Sequence, residues 1–215
     1  FTGLLGGLAS STATTLAMSR QSRAWPETGR LCALAVVLAC TIMLARVAVL
    51  VGVVSPAVLA RLAPWLFVVA LPGLVFALWS WRHFSPHEPS AGTAAHEVRN
   101  PLNLRIAIQF AILYALVVLL VRWSDDQFGG TGVYWASFFS GLTDLDAISL
   151  SLSQLHRAGN MAATEAARAV LIAAGANSLL KAIMAISLGG PAMRRPILLT
   201  LGATVLCSAL AAWLI

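Results

Sequence analysis

Long apolar runs alternate with short polar connections along the chain. Each run is close to the 20 or so residues that a helix needs to cross the hydrocarbon core of a bilayer. The pattern predicts seven membrane-spanning helices, over residues 3–19, 31–54, 62–82, 103–123, 132–153, 166–188 and 196–215. Glycine and proline clusters interrupt the pattern between the runs, as is typical of turns. The predicted fold class is therefore an all-α, polytopic transmembrane helix bundle.

Composition favours a lipid bilayer as the surroundings of this chain. Hydrophobic residues make up 59% of the sequence and charged residues 10%, whereas a soluble domain carries about 25% charged residues. The net charge of +6 is spread over the ends of the apolar runs. Because no basic stripe interleaves with aromatic residues, no nucleic-acid partner is predicted. The three cysteines lie in apolar runs without metal-ligand spacing, which is typical of small buried hydrophobes.

Two segments of the chain resemble each other. Residues 7–24 and 141–158 both begin with Gly-Leu and both carry an arginine near their end, and a shift by one residue pairs Arg46 with Lys181. Helices one to three therefore correspond to helices five to seven, and the counterpart of helix four is expected before Phe1, in a longer protein. A period of four helices returns the chain to the same side of the membrane. The pattern thus predicts two parallel repeats, related by an axis along the membrane normal.

The repeat divides the chain into three parts. Residues 1–82 form the first repeat of three transmembrane helices, residues 83–102 a polar cytoplasmic loop, and residues 103–215 the fourth helix with the second repeat. Arginines are more numerous in connections one, three and five than in connections two, four and six, and the richer side faces the cytoplasm. The predicted location is the bacterial inner membrane, multi-pass, with the start of helix one outside and the C-terminus inside.

Several polar and charged residues interrupt the apolar runs at positions that lipid would otherwise surround. A charge at the bilayer centre costs about 2.5–3.5 kcal/mol, so these side chains are expected to face the interior of the bundle. Carboxylate, hydroxyl and amide oxygens would suit a cation such as magnesium, although the pattern identifies no particular metal. The predicted ion- or substrate-binding residues are Asp144, Asp146, Ser10, Thr12 and Asn177, and the predicted charge-balancing or gating residues are Arg46 and Lys181.

The geometry of these residues leaves alternatives open. Asp144 and Asp146 would point about 200° apart on an unbroken helix. A helix break after 140–141, with Thr143 and Asp146 as a capping pair, would change their directions. An acid paired with Lys181 would alternatively serve structure alone, and the hydroxyl run of helix one would serve helix packing through small side chains.

The Gly-Leu segments at 8–17 and 140–148 resemble the C-terminal membrane domain of bacterial proteins in the MgtC/SapB superfamily, a domain of unknown function. The resemblance covers nearly the whole chain, and the Asp-x-Asp segment is its most distinctive part. It implies an upstream MgtC-like membrane domain in the same protein as a partner. The superfamily's link to magnesium limitation attaches to that other domain, so no functional residue is carried over.

Together these features predict a bacterial inner-membrane transporter or channel-like protein with a polar intramembrane site for cations or protons. The alternative is a non-transporting scaffold or regulatory module that partners an MgtC-like domain, with a dry and fully ion-paired core. No enzyme is predicted, because no Ser/His/Asp set, HExxH motif or nucleotide loop is present. No cofactor is predicted, the lipid bilayer is the expected surrounding, and the oligomeric state is left open.

Overall fold

The computed structural model describes residues 2–83 and 132–215, with side chains from residue 10 onward. Every regular element in these ranges is helical, and the predicted all-α fold class is confirmed. The helices are α1 (Thr2–Ala24), α2 (Gly29–Val54), α3 (Pro56–His83), α4 (Gly132–Thr143), α5 (Leu145–Arg157), α6 (Ala163–Leu188) and α7 (Pro191–Leu214), with a 3₁₀ turn at Pro26–Thr28. The predicted helix 103–123 lies outside the described residues, as does the predicted loop 83–102 apart from its first residue.

Four of the described segments are long and apolar enough to cross a membrane: Pro26–Val54, α3, α6 and α7. α1 has 23 residues, but its hydroxyl side chains make it less apolar. α4 and α5 have 12 and 13 residues, so each is shorter than the roughly 20 residues that a full span requires. The chain is therefore consistent with a multi-pass membrane protein in which one predicted span, 132–153, is divided in two.

Prolines begin two helices earlier than the apolar pattern predicted. α3 begins at Pro56 instead of residue 62, and α7 begins at Pro191 instead of residue 196. Proline suits the first position of a helix because the N–H group that it lacks would have no intrahelical partner there. Pro64 and Pro196 lie inside these helices.

Contacts between helix ends show in which direction the helices of each half run through the bundle. At one end of the bundle, Gly190 N–H donates to Ser22 Oγ at 3.0 Å, and a Cβ added to Gly29 would lie 2.7 Å from Ala192 Cβ. The last turn of α1 therefore lies beside the end of α6 and the beginning of α7. We call this the Ser22 end.

The opposite end of the bundle, the Ser55 end, brings together the end of α2 and the end of α5. Ser55 and Pro56 line a shallow surface depression together with His156 and Arg157. α5 therefore runs towards the Ser55 end, whereas α1 runs towards the Ser22 end. α2 and α6 are opposed in the same way, and so are α3 and α7.

The prediction of parallel repeats is therefore wrong. Corresponding helices run in opposite directions, as in inverted repeats whose axis lies in the membrane plane. Matching residue types along the chain carries no information about direction, and the parallel arrangement depended on counting 103–123 as one crossing. The start of α1 and the end of α7 also lie at the same end of the bundle, so their predicted placement on opposite sides of the membrane is wrong as well.

Helix packing is consistent with two equivalent halves. α1 packs on α2 as α4 and α5 pack on α6, and α2 packs on α3 as α6 packs on α7. Across the halves, α2 contacts α5 and α7, while α6 contacts α1 and α3. Exchanging the halves reproduces this pattern of contacts. Duplication itself remains a prediction that the pattern supports.

α6 lies at the centre of the described bundle. Its buried face is rich in alanine and includes Gly175, and small side chains allow the close helix contacts on which packing within a membrane depends. α3 and α7 instead expose large apolar side chains. These include Phe67, Val75, Leu78, Leu199, Leu206 and Trp213. The exposed apolar side chains of α3 and α7 suit contact with lipid.

Candidate functional site

Two helices are broken at corresponding positions of the two halves. Ser10 interrupts α1 with φ −164° and ψ 107°, and Asp144 separates α4 from α5 with φ −146° and ψ 104°. Each side chain caps the helical segment that follows. Ser10 Oγ accepts from Ala13 N–H at 3.2 Å, and Asp144 Oδ1 accepts from the N–H groups of Asp146 and Ala147 at 2.9 and 3.1 Å. The discontinuous helix that the sequence left open is present at Asp144, which we call the second break, and α1 carries a further break at Ser10, which we call the first break.

The second break differs in detail from the one that the sequence suggested. The break lies at Asp144. The sequence had suggested a break after residues 140–141, with Thr143 and Asp146 as the capping pair. Thr143 Oγ1 instead donates to Ser140 C=O at 2.9 Å and so closes the last turn of α4. Asp144 is the better cap because a carboxylate accepts two N–H bonds and its charge complements the positive end of the helix.

A close helix contact fixes the end of α4. A Cβ added to Gly141 would lie 2.6 Å from Ala173 Cα, so a residue with any side chain would clash with the backbone of α6. Asn177 Nδ2 donates to Gly141 C=O at 2.7 Å, and this satisfies a carbonyl that the broken helix leaves without an intrahelical partner. Asn177 is buried, and its Oδ1 has no hydrogen-bond partner within the described part of the chain. Asn177 therefore stabilises the break directly.

An ion pair joins the two halves just beyond the second break. Arg46 of α2 pairs with Asp146 of α5, and their side chains are 31% and 24% exposed. The other carboxylate oxygen, Asp146 Oδ1, is buried and accepts no hydrogen bond from the described residues. Arg46 is thus paired with an acid, while the predicted charge-balancing or gating role of Arg46 stays a prediction.

Lys181 makes the corresponding contact beside the first break. Its side chain is 1% exposed, and its Nζ donates to Ser11 Oγ at 2.7 Å and lies 2.9 Å from Met43 Sδ. Among residues 10–83 and 132–215, no carboxylate forms an ion pair with Lys181. The alternative of a structural ion pair at Lys181 is therefore wrong for the described acids, because Asp146 pairs with Arg46 and Asp144 caps α5.

The two contacts correspond to each other under exchange of the halves. Arg46 and Lys181 are matched in the repeat, and each reaches a residue one or two positions beyond the break in the other half. We refer to Arg46, Asp146, Lys181, Ser11 and Met43 as the polar centre. It joins a carboxylate, a guanidinium, an ammonium and a hydroxyl where the two halves meet.

The remaining predicted ligands form no described hydrogen bond with a side chain of the polar centre, and Asn177 instead bonds to Gly141. Ser10 and Asp144 are exposed and act as caps, and Thr12 is half-buried. Ser11 was missed, although the sequence held a signal for it. Ser11 begins a buried stripe at helical spacing that continues through Thr15, Ser19 and Ser22.

The hydroxyls of this stripe after Ser11 each donate to a carbonyl about one turn earlier, which satisfies them without a ligand. In α5, Ser149 and Ser153 are bonded in the same way. The packing interpretation of the hydroxyl run therefore holds for the stripe, and Ser11 alone extends it into the polar centre.

Lys181, Ser11 and Met43 of the polar centre are buried. A separate cavity of about 10 Å³ lies between α2, α3, α6 and α7, is lined in part by Cys40, Thr41 and Ser178 and by no residue of the polar centre, and has space for about one water molecule. Within residues 2–83 and 132–215, no three His, Cys, Asp or Glu side chains come together as metal ligands. What the described centre offers is a buried ammonium group, that of Lys181, and a partly exposed ion pair between Arg46 and Asp146.

Comparison with known proteins yields a family without an assigned activity. A sequence profile described as a domain of unknown function (DUF4010) matches residues 1–189. A protein of Aquifex aeolicus (strain VF5), described as uncharacterized, is 29% identical over 193 residues, which are 90% of this chain and 83% of that protein. No solved structure matches the chain. Neither similarity names MgtC/SapB, so the resemblance to that superfamily stays a prediction.

Proposed function

This chain belongs to the DUF4010 family, and we propose that it is a membrane transporter of small charged solutes with its site at the polar centre. One observation carries the proposal. Two helices of opposite direction are broken at corresponding positions, Ser10 and Asp144, and a cation from the other half contacts each of them just beyond the break.

Physical reasons connect this arrangement to transport. A break exposes backbone N–H and C=O groups, and within a membrane such groups are tolerated where they are buried in protein or line a cavity. Inverted halves with discontinuous helices allow one half to rock against the other around a site near the midplane, which opens it to each side in turn. The same helices also place partial charges, through their ends, beside a solute.

The charge balance of the centre does not favour a cation as the solute. The cation site predicted from the sequence included both carboxylates of the Asp-x-Asp segment. Asp144, however, is exposed, and its carboxylate accepts hydrogen bonds from N–H groups of α5. Asp146 is neutralised by Arg46. With Lys181 added, the charged groups of the centre sum to a positive charge, so we do not carry the magnesium-related specificity forward.

The alternative scaffold function required a fully ion-paired core. Lys181 has no acid partner among the described residues, and this speaks against the alternative. Burial of Lys181, Ser11 and Met43 is compatible with a transporter in a closed arrangement, because alternating access requires that the site be sealed for part of the cycle.

Charge at the two ends of the bundle supports one orientation. The Ser22 end carries six described arginines and the Ser55 end carries three: Arg20, Arg23, Arg30, Arg82, Arg194 and Arg195 at the former, and Arg61, Arg157 and Arg168 at the latter. Because the side richer in basic residues faces the cytoplasm, we place the Ser22 end inside. The start of α1 and the end of α7 then both lie outside.

The proposal is tested by charge movement in proteoliposomes that contain the full-length protein, with inorganic cations, protons and small organic anions offered in turn. We expect a solute-dependent current that Asp146→Asn abolishes, since this change removes the carboxylate charge of the polar centre. Glu27→Gln removes the same charge from an exposed site and serves as the matched control. Equal currents for Asp146→Asn and the unmodified protein, with equal amounts of folded protein, would contradict the site.

A further inference from the structure

Lys181 and Arg46 occupy corresponding positions, but only Arg46 has an acid beside it. We propose that the ammonium group of Lys181 binds a small carboxylate, which takes the place that the carboxylate of Asp146 holds beside Arg46. The inference gives a substrate class to the polar centre and rests on the proposed transport function. The carboxylate would lie among Lys181, Ser11 and the beginning of the helical segment after Ser10.

Burial is the first argument for a missing anion at Lys181. The side chain is 1% exposed, and a cation removed from water is costly unless it is paired and hydrogen-bonded. Its described partners are the Ser11 hydroxyl and the Met43 thioether. A thioether is only a weak acceptor, and neither group carries a negative charge, so the charge of the ammonium is left without a counter-ion.

The comparison of the halves is the second argument, because it shows which group is missing. In the second half, one carboxylate caps the new helix and a second one pairs with the cation, through Asp144 and Asp146. At the corresponding positions the first half has Ser10 and Thr12. The same backbone break is therefore present in both halves, while the first half lacks both negative charges.

The local backbone gives a third reason. The first N–H groups of a helical segment have no intrahelical partner, and the Ser10 side chain satisfies one of them, that of Ala13. A helix N-terminus attracts an anion through these groups and through its dipole. The helical segment that follows Ser10 begins next to Ser11, whose hydroxyl binds Lys181. An anion at this place would therefore meet an ammonium group, a hydroxyl and backbone N–H groups.

Packing limits the size of the anion. Met43 is the group that a ligand would displace from Lys181, and its flexible thioether adapts easily to a neighbour. The cavity of about 10 Å³ is lined by Cys40 and Ser178 but by none of Lys181, Ser11 and Met43, so the anion would have to take the space that Met43 occupies. A carboxylate with a few carbon atoms would fit after a small rearrangement of Met43, whereas a large one would require the helices to separate.

Thermal unfolding of the purified full-length protein tests this inference with sodium acetate and sodium lactate, at constant ionic strength against sodium chloride. We expect a saturable rise of the midpoint by about 5 °C at a hundredfold excess over Kd for at least one of the two carboxylates. Lys181→Met, which fills the same space without charge, should abolish the rise. Lys181→Arg should keep it, and so should Arg82→Met, which removes an exposed cation at the Ser22 end.

Three results would overturn the inference. The first is the absence of a saturable rise over sodium chloride with both carboxylates, the second is a rise that survives in Lys181→Met, and the third is a rise that Arg82→Met abolishes as well. Uptake of labelled acetate and lactate into proteoliposomes separates this inference from the proposed function. If carboxylate binding depends on Lys181 but no solute moves, the carboxylate site is retained and the proposed transport function is contradicted. If another solute moves and Lys181→Met does not change its movement, the transport function is retained and the carboxylate site is contradicted.

Discussion

The two helix breaks share a backbone conformation and differ in chemistry. Ser10 and Asp144 are both extended, and both cap the helical segment that follows. At the first break the cap is a neutral hydroxyl and the nearby cation, Lys181, is bound by another hydroxyl. At the second break the cap is a carboxylate and the nearby cation, Arg46, is held by Asp146.

This difference separates what a break needs from what a site needs. Either a hydroxyl or a carboxylate oxygen is sufficient to cap a helix, because both accept N–H bonds. A buried cation needs more, because only an opposite charge offsets the loss of its hydration. The second half supplies that charge from its own sequence, whereas the first half leaves it open to a ligand.

The direction of the two halves is tested by an experiment with an all-or-none result, the membrane face from which a single cysteine is labelled. Single cysteines at Glu27 and Asn160, in a background without Cys32, Cys40 and Cys207, mark the connections that follow α1 and α5. We expect an impermeant thiol reagent to label them from opposite faces of the membrane, because α1 and α5 end at opposite ends of the bundle. Labelling of both from the same face would restore the parallel arrangement and end the inverted one.

The largest expected effect on stability is at Gly141. Gly141→Ala should lower the free energy of unfolding by about 3 kcal/mol, the upper end for overpacking, because the new Cβ meets the backbone of α6 instead of a movable side chain. Gly202→Ala is the matched control, since a Cβ there has no neighbour within 4 Å. Urea unfolding in mixed micelles would measure both. A tolerated Gly141→Ala would mean that the α4 break is looser than the structure has it.

The ion pair between Arg46 and Asp146 should have the next largest effect on the free energy of unfolding. Asp146→Asn is expected to cost about 2 kcal/mol, less than a fully buried pair would, because both side chains are a quarter to a third exposed. Ser11→Ala at the corresponding contact should cost about 2 kcal/mol, the value of one hydrogen bond to a charged group. Replacing both partners, Arg46→Met with Asp146→Leu, should recover most of the loss in the same assay. A double variant as unstable as Asp146→Asn would show that the pair itself is not the cause.

The smallest effect is expected at the caps. Asp144→Ala should cost about 1 kcal/mol and Ser10→Ala about 0.5 kcal/mol, in keeping with the two N–H bonds of the carboxylate and the single bond of the hydroxyl. Asp144→Ser gives the second break the cap of the first and should restore most of the loss. Thermal midpoints of the three variants would measure the order. The reverse order would indicate that the two breaks are not equivalent.

Sequence patterns predicted the helices well and the polar centre in part. Arg46, Asp146 and Lys181 were identified because a charge inside an apolar run is costly and has to face the interior. The cap at Asp144 was assigned to its neighbours, because an Asp-x-Asp segment offers two carboxylates for one capping position. Ser11 and Met43 were missed, because a hydroxyl or thioether in an apolar run costs little and gives no comparable signal.

The sequence by itself determined the fold class, the positions of the apolar helices and the correspondence of segments 7–24 and 141–158, because all three depend on residue types along the chain. Only the tertiary structure decided that corresponding helices run in opposite directions and that Arg46, rather than Lys181, holds Asp146. Direction and pairing depend on which helix ends meet, at Ser22 with Gly190 and at Ser55 with His156. Such contacts between distant segments leave no trace in hydropathy or in internal similarity.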